Sequence, residues 1–528
     1  MAEQDSFDYV IVGAGSAGCV LANRLSEDPA ARVLLLEAGG EDTADEIHIP
    51  AAFAALFKTK WDWNYETVEQ KHTGKTSYWP RGKTLGGCSS INAMIYIRGN
   101  RADYDAWRDT HGAEGWGFDD VLPYFKRAEG NQRFGGPWHG TDGPLHVEDR
   151  RFTHELSHAW VDSAVSWGLK RNEDFNGETQ DGAGLYQVTC RKGARWSTAD
   201  AYLRPALTRP NLTVRTGAQA TRVLFSGTRA TGVSYLDSGT ERTAHASAEV
   251  LLCGGAINSP QLLMVSGVGP AEHLREHGID VVTALPGVGE NLHDHPAAPV
   301  IWSTRGTTDL VDAATPAGLV RYQLTKRGPL ASNVGEAGGF MSTVDGLTAP
   351  NMQFHVAPTL FYDNGMREPT VPGFTSATTL VDVASRGRLR LKSANPLWKP
   401  LIDPAYYADP ADMEATLAGL RTLMEIAKSG PLARFLDKPF LPDRSDVDED
   451  ALREHVRANT QTLYHPVGTC SMGTGEQAVV DPALRVRGVD GLRVVDASIM
   501  PIVPRGNTNA PTIMVAEKAA DLIKAAGH

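Results

Sequence analysis

Residues 9–18 read Tyr-Val-Ile-Val-Gly-Ala-Gly-Ser-Ala-Gly. Four β-prone residues run into a Gly13-x-Gly15-x-x-Gly18 turn, after which Val20, Leu21 and Leu25 recur at helical spacing as far as Pro29. A second apolar run, Val33 to Leu36, ends at Glu37, 19 residues beyond Gly18. Strand, tight turn, helix, strand and distal acid together specify a dinucleotide-binding unit. The glycines let the backbone approach a pyrophosphate at the helix N-terminus, and the carboxylate accepts hydrogen bonds from a ribose. The acid disfavours a 2′-phosphate, so NAD or the adenosine half of FAD is expected rather than NADP.

The rest of the chain gives this unit a large setting. At 528 residues it exceeds the roughly 250–300 residues of a single core, so at least two lobes are expected. With 41% apolar and 22% charged residues the composition is that of an ordinary globular protein. The formal charge of −12 argues against nucleic acid or anionic lipid as a general partner. Five scattered cysteines, none in a CxxC pair, read as reduced thiols, and the N-terminus carries neither a basic n-region nor a long apolar run. A cytoplasmic location without a membrane span is therefore expected. Homo-oligomerisation is left open.

Further motifs follow. Arg81–Asn100, RGKTLGGCSSINAMIYIRGN, is a segment of small residues and donors able to lie against a flat ring or a phosphate. Val250–Cys253 reads as a buried strand breaking at Gly254-Gly255 into GAINSPQLLMVSGVG, a second strand-glycine-helix unit. Leu463–Gly473, LYHPVGTCSMG, holds one imidazole, His465, among small residues.

In these stretches the chain resembles the glucose-methanol-choline family of FAD-dependent oxidoreductases. The resemblance extends through PGVGENLHDHP (286–296), SRGRLRLKSANP (385–396) and GLRVVDASIMPIVPRGNTNAPTIMVAEKAADLI (491–523), so it runs end to end with the motifs in order. It implies an α/β fold with a discontinuous Rossmann-type FAD-binding domain and an α+β substrate-binding domain whose antiparallel sheet is backed by helices. From the texture of the chain, residues 1–155, 200–300 and 455–528 are assigned to the first domain and 156–199 and 301–454 to the second. β-type runs at 351–356 and 375–383 and a helical stretch at 412–427 fall in the second.

Carried over by position, the resemblance implies that Gly13, Gly15, Ser16, Ala17, Gly18, Glu37 and Ala38 hold the adenosine diphosphate half, with Ala220 meeting the adenine through its backbone. Gly87, Asn92, Ala93 and Met94 would line the flavin, and Asp496 and Ala497 the diphosphate or ribityl chain. Some relatives attach FAD through a histidine where this chain has Ile91, so noncovalent FAD is expected.

The implied chemistry is oxidation at a CH–OH group. Hydride passes to flavin N5, and a base must take the hydroxyl proton. The resemblance casts His465 as that base and Asn509, 44 residues on, as the amide that orients the alcohol oxygen; Tyr464, Asn507 and Thr508 would shape their surroundings. An imidazole with an ordinary pKa of about 6.5 suits the task. His293, Asp294 and His295 look like metal ligands, but neighbouring ligands point apart and no matching cluster exists, so no metal is expected. Choline-acting relatives usually carry a histidine where this chain has Val334, which points to a neutral primary alcohol, aryl or medium-chain aliphatic. The loop 361–372 reads equally as a lid or as plain surface. Dioxygen and a quinone-type carrier both remain open as electron acceptors. Choline oxidation, a hydroxynitrile lyase-type reaction and a non-catalytic flavin module stand as alternatives.

Overall fold

The computed structural model describes residues 6–311, 315–367, 369–444 and 446–527. Its first sheet grows from the opening motif. Ser6–Val12 lies between Val33–Leu36 and Thr240–Leu252, parallel to both, and Leu212–Arg215 adds a further parallel strand beyond Val33–Leu36. Parallel strands covered on both faces read as unbroken apolar runs, and Val10, Ile11, Leu34 and Leu35 have no exposed surface. The C-terminal strand Leu492–Val494 returns to pair with the end of Thr240–Leu252, so this lobe is assembled from distant parts of the chain. The hairpin strands Ala218–Ser226 and Arg229–Asp237 complete the sheet in antiparallel fashion.

Helix Ser16–Leu25 packs against the C-terminal helix Asn509–Ala526. Both are pinned by buried Glu517, which accepts from the Arg24 guanidinium at 2.9 Å and the Tyr202 hydroxyl at 2.8 Å. At Gly18 the helix crosses the strand so closely that a β-carbon would lie 1.9 Å from the Gly13 carbonyl oxygen.

The second sheet is wholly antiparallel. Its order is Leu436–Leu441, Pro296–Thr304, Gly373–Leu380, Met352–Ala357, Ala337–Met341, Gly182–Leu185. Pro296–Thr304 and the short strand Gln461–Thr462, which pairs with it, carry this sheet a few residues across the boundaries drawn at 300 and 455. Helix Pro410–Ile426 packs against the sheet. It starts with proline at its first position, and the Asp409 side chain accepts from the Ala411 N–H at 2.9 Å, both favourable at a helix start. The architecture is α/β, with a discontinuous Rossmann-like lobe and a separate sheet-and-helix lobe. Among the described residues no helix is long and apolar enough to cross a membrane, and all five cysteines are free thiols.

Candidate active site

Three helices, Ser16–Leu25, Gly255–Val265 and Asn509–Ala526, begin at one cavity, and none has a side-chain N-cap. Their first N–H groups and dipoles give the cavity a positive floor suited to a diphosphate. Asp496 takes part of this: its Oδ2 accepts from the Gly255 N–H at 2.8 Å and the Ser259 hydroxyl at 2.6 Å. The cavity measures about 2340 Å³ counting the space open to solvent.

The glycines make a cradle. Gly13 has φ +100°, and a β-carbon there would come within 2.7 Å of the Cys253 carbonyl oxygen. Gly87, at φ +52°, sits against Gly15 so tightly that its β-carbon would lie 2.7 Å from the Gly15 Cα. A β-carbon on Gly15 itself would meet nothing closer than 4.0 Å and would occupy only the space between the two loops. This yields a paired prediction: Gly15→Val leaves the melting temperature of the ligand-free protein near wild type but weakens FAD uptake in a spectral titration, whereas Gly18→Val lowers the melting temperature itself.

Glu37 lines the cavity with both oxygens held by backbone, accepting from Ala14 N–H at 2.9 Å and Gly39 N–H at 2.8 Å. Burial pushes its carboxyl up to about 7, against the pull of those N–H groups and of Lys83. Ala38, Ala220, Asn92, Ala93, Met94, Ala497 and Thr508 also line the cavity, with Ser16 and Ala17. Gly18 does not; its place is the helix–strand contact. Ile91 faces the cavity without a nucleophilic atom.

His465 lies on the same cavity wall, 7% exposed. Its backbone N–H donates to Asp294 Oδ1 at 2.7 Å; the Thr462 hydroxyl at 2.6 Å and the Tyr406 hydroxyl hold the other oxygen. Its Nε2 lies 3.2 Å from Nδ2 of Asn507, and its Nδ1 lies 3.0 Å from Nδ1 of His295. Burial first, then His295, His355 and Arg81, hold the imidazole well below its ordinary value, so it is neutral.

Here the structure corrects the expected partner. Asn509 opens the C-terminal helix, and its Oδ1 accepts from the Ser16 hydroxyl at 2.8 Å, tying that helix to the glycine loop. Asn507, still in the loop before the helix, is the amide that meets His465, with Gln353 Nε2 3.4 Å from its Oδ1. The sequence offers two asparagines in Asn507-Thr508-Asn509, and only the point where loop becomes helix separates their directions.

Among the described residues, three that line the cavity other than glycine have left-handed backbone: Met94 (φ 59°), Val334 (φ 67°) and Tyr464 (φ 70°). For β-branched Val334 this is costly, and such strain gathers where a cavity shape is over-determined. The same cavity is lined by an apolar cluster of Phe53, Phe57, Val334, Ala357 and Phe361. Loop 361–372 is pinned at one end, since Asn364 N–H donates to Gln461 at 3.0 Å and Asn364 Oδ1 accepts from the Tyr464 hydroxyl at 2.9 Å. Residue 368 of that loop lies outside the described residues. The side chains of the NLHDHP segment diverge: His293 accepts from the Val503 N–H at 2.9 Å, while Asp294 and His295 turn to His465.

A Rossmann lobe whose nucleotide cradle opens on an imidazole–amide pair, beneath a second helix-backed sheet, defines the class: a two-lobed oxidoreductase built on a dinucleotide. Models of the GMC oxidoreductase family match residues 7–297 and 383–516, and the chain belongs to that family. It is 46% identical over 527 residues to an alcohol dehydrogenase [acceptor] of Pseudomonas putida, covering 98% of this chain and 95% of that one. It is 43% identical over 538 residues to the mitochondrial choline dehydrogenase of Homo sapiens, covering 99% and 90%. Among solved structures, pyridoxine 4-oxidase from Mesorbium loti superposes with a TM-score of 0.91 at 32% identity, over 99% of this chain and 100% of that one.

Proposed function

We propose that the protein binds FAD noncovalently and oxidises a neutral primary alcohol, aryl or medium-chain aliphatic, to the aldehyde. The observation that carries this is the convergence of His465 and Asn507 on the cavity framed by the glycine loops. When bound, FAD supplies the two-electron sink that accepts hydride from carbon and passes electrons on to dioxygen or a quinone-type acceptor. The hydroxyl proton is left to the protein. An alcohol oxygen seated between the two replaces their 3.2 Å contact: the unprotonated Nε2 of His465 then offers its lone pair to the hydroxyl proton, while the Asn507 Nδ2–H donates to the oxygen and stays neutral throughout. Asp294 holds the His465 backbone in place for this.

Substrate class follows from charge. Among the described residues that line the cavity, the carboxylates are Glu37 and Asp496, both engaged by backbone N–H groups. Of the groups that hold His465 down, His295 and His355, themselves pushed down to about 3, are neutral and Arg81 is a cation, so none attracts a quaternary ammonium. The aromatic and aliphatic wall suits an apolar chain instead. Choline is the second reading, motivated by the similarity to choline dehydrogenase. Turnover of benzyl alcohol, 1-octanol and choline with an artificial electron-accepting dye, and in air with peroxide detection, tests the assignment. Choline as the fastest of the three would reverse it.

A pH dependence follows too. Because the His465 imidazole is held well below its ordinary value, the base form persists as pH falls through 6.5 and is lost only below it. The rate of flavin reduction is expected to be flat through pH 6.5, with its acid limb lower. An acid limb at or above pH 6.5 would assign the proton to another group.

A further inference from the structure

The NLHDHP segment, whose pattern first suggests a metal, has a different use. His295 is fully buried, and its ring stands edge-on to that of His465, with planes at 89° and centroids 5.2 Å apart. The two Nδ1 atoms are 3.0 Å apart, a distance that requires one proton between them. Which ring supplies it decides whether His465 can act as a base.

One neighbour decides the matter. Asn507 turns Nδ2, a donor, toward His465 Nε2, which must therefore present a lone pair. A neutral imidazole with a bare Nε2 carries its proton on Nδ1. With its Nδ1 accepting from His465, His295 carries its own proton on Nε2, which is buried and has no hydrogen-bond partner among the described residues. The direction of donation is therefore set by the Asn507 amide. We propose that His295 is a positioning residue that fixes the tautomer of His465, accepting its Nδ1–H so that Nε2 faces the cavity unprotonated.

This rests on the base role of His465 and deepens it. When His465 takes a proton at Nε2, no second acceptor is needed: the Nδ1–H already points at the His295 lone pair, which stabilises the imidazolium in an apolar wall. The other ionisable groups facing the pair are His355, Arg81 and Arg505, with Asp294 on the His465 backbone. The cations among them would repel a second charge on His295, and burial pushes His295 down to about 3, so it remains the acceptor.

The test reads the tautomer directly. In FAD-loaded protein labelled with nitrogen-15 histidine, the signals missing in His465→Gln identify His465. The wild type is expected to show the Nδ1–H form, and His295→Leu to shift it toward Nε2–H and slow anaerobic flavin reduction by benzyl alcohol or 1-octanol by about 10–100-fold. His295→Asn, whose amide oxygen can stand near the position of Nδ1, should recover most of that loss. An Nε2–H tautomer in the wild type, or an unchanged tautomer and rate in His295→Leu, overturns the proposal. Should the leucine variant not fold, the wild-type spectrum and the asparagine variant still decide. If His465→Gln reduces flavin at the wild-type rate, the base role itself has failed; if only His295→Leu does, the positioning role alone falls.

Discussion

His465→Ala is expected to bind FAD as the wild type does and to reduce it with an alcohol about 10²–10⁴-fold more slowly, the usual worth of a positioned general base. The two halves of this result have separate origins. FAD binding is assigned to the glycine loops and the three helix ends, none of which His465 supports. Proton removal is assigned to Nε2, and the other imidazoles near it do not substitute, because burial pushes both His295 and His355 down to about 3 and leaves them weak bases. Stopped-flow absorbance under nitrogen measures the rate, and the spectrum of the purified variant measures occupancy. A variant that reduces at the wild-type rate would remove His465 from the chemistry.

Asn507→Ala carries the second large expectation, a fall of about 10²-fold in the same rate, comparable to losing one hydrogen-bond donor aimed at a reacting oxygen. Asn509→Ala should instead weaken FAD affinity with a smaller change in rate at saturating FAD, because its amide oxygen holds Ser16 of the glycine loop. The reverse ranking, with Asn509 dominating the rate, would restore the partner expected from sequence. Asn507→Asp adds a further reading. A carboxylate beside Nε2 raises the His465 pKa, so the acid limb of the rate profile should move upward in pH.

That exchange of Asn507 for Asn509 shows where sequence reading stopped. The nucleotide lobe was legible because its local chemistry is self-contained: GxGxxG after a buried strand permits one turn, and Glu37 falls where a ribose requires an acid. The direction of a side chain two residues from a helix start depends on where the first helical turn closes, and tertiary contacts with Ser16 and Gln353 set that. His293, Asp294 and His295 were legible as a cluster but not as a brace, since residues adjacent in sequence diverge in space and each has a partner 168 or more positions away. Val334 could be read as the absence of a histidine, but its left-handed backbone could not, because nothing local favours that conformation in a β-branched residue.

The most direct measurement mixes FAD-loaded protein with 1-octanol or benzyl alcohol in the absence of oxygen and follows the yellow flavin band. Bleaching in step with aldehyde formation is predicted, followed by return of the colour when an acceptor is admitted. A protein that takes up no FAD, or whose flavin stays oxidised with every alcohol offered, would contradict the assignment of this cavity to alcohol oxidation.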